Sequence, residues 1–125
     1  MDIQSYINEY VDWLKSEITF SKIGEYYEIN TPFLDNDNDY LQFYVKQDGQ
    51  EIFFTDDGFT INGLEMAGYK MTKNRKQQLS SILIQYGVQL NGNELIIKAP
   101  ANQFAQKKHA FTQCLMRVSD LYLTS

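Results

Sequence analysis

The chain has 125 residues, 43% of them hydrophobic and 14% aromatic, with two prolines; this suits one packed core in a single domain spanning residues 1–125 and excludes a disordered chain. The 16 acidic against 11 basic side chains give a net charge of −5, which excludes generic attraction to phosphate backbones as the default and favours basic partners. Cys114 is the single cysteine, so no intrachain disulfide forms; with no basic or apolar targeting segment in MDIQSYINEY and no apolar run near the ~20 residues of a membrane span, a cytoplasmic protein without membrane contact is expected.

Between Asp2 and Phe20, the residues Ile3, Ile7, Tyr10, Val11, Leu14 and Ile18 recur at spacings of three and four, which predicts a helix with one apolar stripe and an acidic opposite face. After Gly24 the spacing alternates. Tyr27, Ile29, Thr31 and Phe33 share one face of a strand that Pro32 confines to an edge or an end. A polar LDNDND loop leads to Tyr40–Lys46, where Leu41, Phe43 and Val45 alternate with polar or aromatic neighbours, and QDGQ then precedes EIFFT. That pattern predicts a β-hairpin turning on Asp48-Gly49.

Past Gly58, the residues Ile61, Leu64 and Met66 mark a short helix ended by Gly68. Thr72 is the expected N-cap of the next helix, Leu79, Ile82, Leu83 and Tyr86 its buried stripe, and Gly87 its left-handed C′ residue. VQL and ELIIKA flank Asn91-Gly92, a second hairpin signal. After Pro100, Asn102 is placed to cap a long terminal helix carrying Phe104, Phe111, Leu115, Val118 and Tyr122 on one face. The order predicts an α+β fold: an antiparallel sheet, made of a β-meander and a C-terminal hairpin, packed against N-terminal, central and long C-terminal helices.

Two acidic stretches invite chemistry. Asp35, Asp37 and Asp39 take the alternate positions that open a calcium loop, but Tyr40 stands at position six where glycine is needed and Lys46 at position twelve where a bidentate glutamate is needed. The segment reads as a solvated loop between strands. In FFTDDGFT, Asp56 and Asp57 could join Asp39 or Glu51 in binding magnesium for phosphodiester hydrolysis, although the lysine that such nucleases place near a carboxylate is missing beside Glu51. The local alternative is a turn in which an aspartate accepts backbone N–H groups, Gly58 supplies a positive φ, and Thr60 or Asn62 starts the following helix. The turn needs nothing beyond its own residues, so no metal and no cofactor is expected.

His109 and Cys114 are five residues apart, which puts them on different helical faces and argues against a Cys-His pair. No phosphate loop, serine nucleophile motif or zinc spacing occurs. The basic island Lys70, Lys73, Arg75 and Lys76 stands before a helix and hairpin, an order like that of a winged helix-turn-helix, and it is the candidate nucleic-acid contact of a DNA-binding regulator.

The stretches TPFLDNDNDYLQFYVKQDG, FFTDDGFTINGLEMAG, YGVQLNGNELIIKAP and FAQKKHAFTQCLMRVSDLYLTS resemble an uncharacterised domain-of-unknown-function family of small proteins from Gram-positive bacteria, their prophages and other mobile elements. The T-D-D-G and N-G-N-E blocks carry much of the resemblance, over roughly residues 20–125. It implies an accessory role in the contest between mobile elements and hosts, and no catalytic residues. The expected function is therefore a non-enzymatic, anti-CRISPR-like binder of a host protein with a basic nucleic-acid-binding surface, presenting Asp35, Asp37, Asp39, Glu51, Asp56 and Asp57 with Tyr40 and Tyr44 as anchors. The alternatives are a magnesium-dependent nuclease on the same carboxylates and a nucleic-acid-binding regulator on residues 70–76.

Overall fold

The computed structural model describes residues 1–123; Thr124 and Ser125, at the end of the stretch that carries the family resemblance, lie outside the described residues. The chain order is α1 (Ile3–Glu17), β1 (Thr19–Ile23), β2 (Tyr26–Leu34), β3 (Tyr40–Asp48), β4 (Glu51–Thr55), α2 (Phe59–Met66), α3 (Lys73–Tyr86), β5 (Gln89–Asn91), β6 (Glu94–Pro100) and α4 (Phe104–Ser119), with a 3₁₀ turn on either side of α4. The six strands form one sheet in the order β1-β2-β3-β4-β6-β5, and every neighbouring pair is antiparallel. A four-stranded meander is thus continued by a hairpin, and α2 and α3 make the connection between them. The α+β class and the long terminal helix are as the periodicity predicts. No helix among the described residues is long and apolar enough to cross a membrane.

Alternation along β3, β4 and β6 places Leu41, Phe43, Val45, Ile52, Phe54, Leu95, Ile97 and Ala99 on one sheet face, where they are buried. Leu79, Ile82 and Leu83 of α3 and Phe111, Leu115 and Val118 of α4 complete this core. The Phe111 ring lies 5.4 Å from Phe43, edge on, and 5.8 Å from Phe54. Cys114 is buried in the same layer, and burial pushes its thiol up to about 12 with the negative charge of Asp56 adding to the effect. It is a neutral core group at physiological pH, while His109 is exposed on the same helix.

Local details differ from the sequence pattern. Asn102 lies in the 3₁₀ turn ahead of α4, whose N-cap position is Gln103, and Tyr122 is exposed in the 3₁₀ turn beyond the end of α4 at Ser119. Helical spacing predicts α1 through Phe20, but the helix ends at Glu17 and β1 begins at Thr19; every residue of β1 is exposed, so no buried face imposes an alternating pattern on it. Asp48 pairs with Glu51 and Asn91 with Glu94, so the two-residue loops are Gly49-Gln50 and Gly92-Asn93. Positive φ is needed only at the leading glycine, the II′ arrangement that matches strand twist. Met66, which with Ile61 and Leu64 marks α2 in the sequence, does end that helix but is exposed, and only Ile61 and Leu64 of α2 are buried. Finally, α1 does not cover the sheet: it touches the sheet chiefly at β2, none of its residues is fully buried, and its apolar stripe is open to solvent except at the half-buried Leu14.

Candidate functional site

The T-D-D-G and N-G-N-E blocks form one joint where β4 ends beside the start of β6. Asp56 is 1% exposed. Its Oδ1 accepts the backbone N–H groups of Gly58 and Leu95, both at 2.9 Å, and its Oδ2 accepts that of Thr60 at 3.1 Å. One carboxylate therefore closes the turn, caps the first turn of α2 and fastens β6. Around it the Thr55 hydroxyl donates to Glu94 Oε2 at 2.8 Å and accepts the Asp57 N–H at 3.0 Å. Asn93 Nδ2 donates to Asn62 Oδ1 at 2.7 Å, tying the β5–β6 loop to α2.

The chain reverses from strand to helix through two consecutive left-handed residues, Asp57 (φ 57°) and Gly58 (φ 79°). A Cβ at position 58 would stand 3.0 Å from Asn62 Nδ2, an atom restrained by its residue's bond to Asn93. We expect Gly58→Ala to cost about 1–2 kcal/mol from backbone strain and this close contact. Asp57→Asn, exposed and in a conformation that asparagine tolerates, should stay within ~0.5 kcal/mol. Denaturant midpoints of the two variants measure the contrast, and equal losses would contradict it.

The Asp35–Asp39 loop is organised by its first member. Asp35 Oδ1 accepts the N–H groups of Asp37 (2.8 Å) and Asp39 (3.0 Å), and the Asp35 N–H donates to the Asp39 carbonyl at 2.8 Å. The Asn36 N–H donates to Ser119 Oγ at 3.0 Å, anchoring the loop on the end of α4. This brings one carboxylate oxygen from each of Asp35, Asp37 and Asp39 within 4.8 Å of the others, with Asp37 and Asp39 exposed. Oxygen donors at that spacing are of the kind that hold a hard cation.

β4 stops at Thr55, opposite Tyr44, so the first residues of β3 run past it and α2 occupies that side. Between them lies a groove of about 440 Å³ whose lining includes Asp35, Asp39, Tyr40, Tyr44 and Asp57, together with Phe59, Asn62 and Met66 of α2. Tyr44 is half-buried. Burial pushes its phenol above the ordinary value, and the charges of Glu28 and Asp57 and a hydrogen bond to Glu28 add to the shift. It is a neutral hydroxyl facing a negative surface.

The expected site residues therefore separate into three sets. Asp35, Asp39, Tyr40, Tyr44 and Asp57 meet on one groove, with Asp37 beside it in the loop cluster. Asp56 borders the groove but is buried, with both oxygens holding backbone donors, so it has no surface to offer a partner. Glu51 is exposed at the opposite end of β4, paired with Asp48 and Pro100, roughly 15 Å from the turn at 3.3 Å per residue. The set Asp56, Asp57 and Glu51 is thus not assembled around one point.

Lys70, Lys73 and Lys76 are exposed. Arg75 is half-buried: its guanidinium lies 4.2 Å from the Tyr69 ring and donates to the Lys70 carbonyl at 2.8 Å, holding the α2–α3 connection. Three groove residues, Phe59, Asn62 and Met66, are missing from the sequence expectation. The sequence carries one signal for them, since Phe59 and Met66 are seven apart and share a helical face that Ile61 and Leu64 do not occupy.

No curated protein and no solved structure matches the chain. The family model described as Domain of unknown function DUF1828 matches residues 31–118, which takes in the loop, the groove and the joint and leaves out α1 and β1. That match spans more than half of the 125 residues, and the chain belongs to this family of domains of unknown function.

Proposed function

We propose that the protein is a non-enzymatic acidic binder that occupies the basic, nucleic-acid-binding surface of a host protein and so inhibits or modulates it, in the manner of an anti-CRISPR protein. One observation carries the reading: the groove combines an acidic rim of Asp35, Asp39 and Asp57 with exposed Tyr40 (70%), Phe59 (66%) and Met66 (88%). Arg- and Lys-rich surfaces built to take phosphates are complementary to such a rim, and the net charge of −5 steers the encounter over a longer range. Large apolar side chains that become desolvated supply most of the binding free energy in protein interfaces. The mobile-element setting implied by the sequence resemblance provides the host partner, and the cytoplasm is where the two would meet.

The test is capture of the partner from a Gram-positive host lysate, followed by kinetics with two variants. In Tyr40→Ala/Phe59→Ala both positions are largely exposed, so the fold should persist while affinity falls by about 100-fold, the loss of two interface anchors. In Asp35→Asn/Asp37→Asn/Asp39→Asn the amide oxygen at position 35 can still accept the loop N–H groups. Association should nevertheless slow about tenfold and lose its salt dependence, because attraction between charges is screened beyond ~8 Å at physiological ionic strength. Binding unchanged in both variants would overturn the reading, as would a partner that still holds nucleic acid when saturated with this protein.

A further inference from the structure

α1, which meets the sheet chiefly at β2, is an amphipathic helix whose apolar stripe is partly covered only at Leu14 and is otherwise open. Ile3, Tyr6, Ile7, Tyr10, Val11 and Trp13 are each between 48% and 61% exposed. With an aromatic side chain offering ~150–250 Å², six half-exposed chains leave roughly 500–600 Å² of apolar surface, at the upper end of the largest patch on a typical monomer. A helix of 15 residues is marginal in water by its own propensity and draws its stability from what its apolar face packs on.

The same chain carries a surface of matching character. The helices α2–α4 sit over the β3–β6 part of the sheet, and beside them, over β1–β3, lies a groove of about 390 Å³ lined by Phe20 of β1, Tyr27 and Ile29 of β2 and Val45 of β3, and bounded on its inner side by Ile52 of β4 and Phe104 of α4. Phe20 and Tyr27 are exposed and meet edge to face at 6.0 Å. β1 is about 17 Å long and α1 about 22 Å, so a helix can lie along this face over most of its length. The charges also agree. α1 carries Asp2 as its cap, Glu9, Asp12 and Glu17 against one Lys15, while Lys22 stands 5.9 Å from the Tyr27 ring at the groove.

α1 has no route to the groove of its own chain. Ile18 alone separates it from β1, whereas αβ connections that fold a helix back on its sheet take about 2–6 residues. Ile18 also packs against the core, which pins the base of the helix. From the open stripe, the open groove and the single-residue hinge we infer that the protein is a reciprocal dimer: α1 of each copy lies in the β1–β3 groove of the other. Such an exchange is isologous and closes on itself; if each stripe of roughly 500–600 Å² is covered and the facing surface loses about as much, two helix–groove pairs bury on the order of 2,000 Å², enough for a stable interface. It leaves the acidic groove outside the interface residues, so it stands apart from the proposed function.

Sedimentation velocity on the full chain tests it, with the variants Val11→Asp on the stripe and Phe20→Glu in the groove. The native protein is expected at the mass of two chains, and each variant at one, an about twofold drop, with the cooperative unfolding of the sheet domain retained and the circular-dichroism change confined to helical signal no larger than α1 contributes. A mixture of the two variants restores one intact helix–groove pair and should regain part of the dimer. Val11→Cys combined with Tyr27→Cys should give a disulfide-linked dimer under oxidation, since Cys114 is buried and inert. A native chain that sediments as a monomer overturns the proposal and leaves α1 to a different partner. A Phe20→Glu chain that remains dimeric while Val11→Asp does not overturns it too, in favour of α1 pairing with α1.

Discussion

Replacing Asp56 by alanine should lower the unfolding free energy by about 3–5 kcal/mol, a large part of the ~5–15 kcal/mol available to a domain. Three backbone N–H groups, those of Gly58, Leu95 and Thr60, lose a charged acceptor at 2.9–3.1 Å. Leu95 is fully buried and Gly58 nearly so, and each buried donor left without a partner costs about 1–3 kcal/mol. The effect should appear as a lower urea midpoint at unchanged slope, because the joint loosens without altering how much surface unfolding exposes. Asp56→Asn should fall between alanine and native. Its single amide oxygen can serve the Gly58 and Leu95 donors, but the amide nitrogen then faces the Thr60 N–H, donor against donor. A loss below about 1 kcal/mol for Asp56→Ala would show that the carboxylate is not what joins β4, α2 and β6.

Phe111→Ala should cost about 3–5 kcal/mol and lower the melting temperature by roughly 10–20 °C. Phe111 is fully buried, and its ring bridges α4 to Phe43 of β3 and Phe54 of β4. No other residue of α4 makes that aromatic link to both strands among the described residues, and a cavity at this point sits between helix and sheet where neither can close it alone. Phe104, stacked on Phe54 at 5.5 Å but only partly buried, should lose less when truncated. Because Phe111 does not line the acidic groove, partner affinity per folded molecule should be unchanged in Phe111→Ala. A loss of affinity in the folded variant would mean that the groove and the core are coupled.

The sequence by itself determined what depends on neighbours a few residues apart. Leu41, Phe43 and Val45 alternate because one face of β3 is buried, Leu79, Ile82 and Leu83 recur at three and one because that side of α3 packs into the core beside α4 and β5, and Thr72 and Gly87 bound α3 with the cap chemistry their types supply. The turn at Asp56-Asp57-Gly58 was legible for the same reason, since its φ requirements are local. Which of the two adjacent aspartates is the structural one was not. Asp56 is consumed because β6, 39 residues on, presents the Leu95 N–H to it, a contact that exists only once the strand order β4-β6 is formed. The same holds for the groove: Asp35 to Tyr44 and Asp57 to Met66 face each other because β4 ends opposite Tyr44, while Glu51 is carried to the far end of that strand. Helical periodicity announced α1 as amphipathic without naming what covers it. A pattern records that a face is apolar, whereas the surface that removes it from water belongs to the assembled fold, and here the single residue Ile18 between α1 and β1 leaves most of that face uncovered within its own chain.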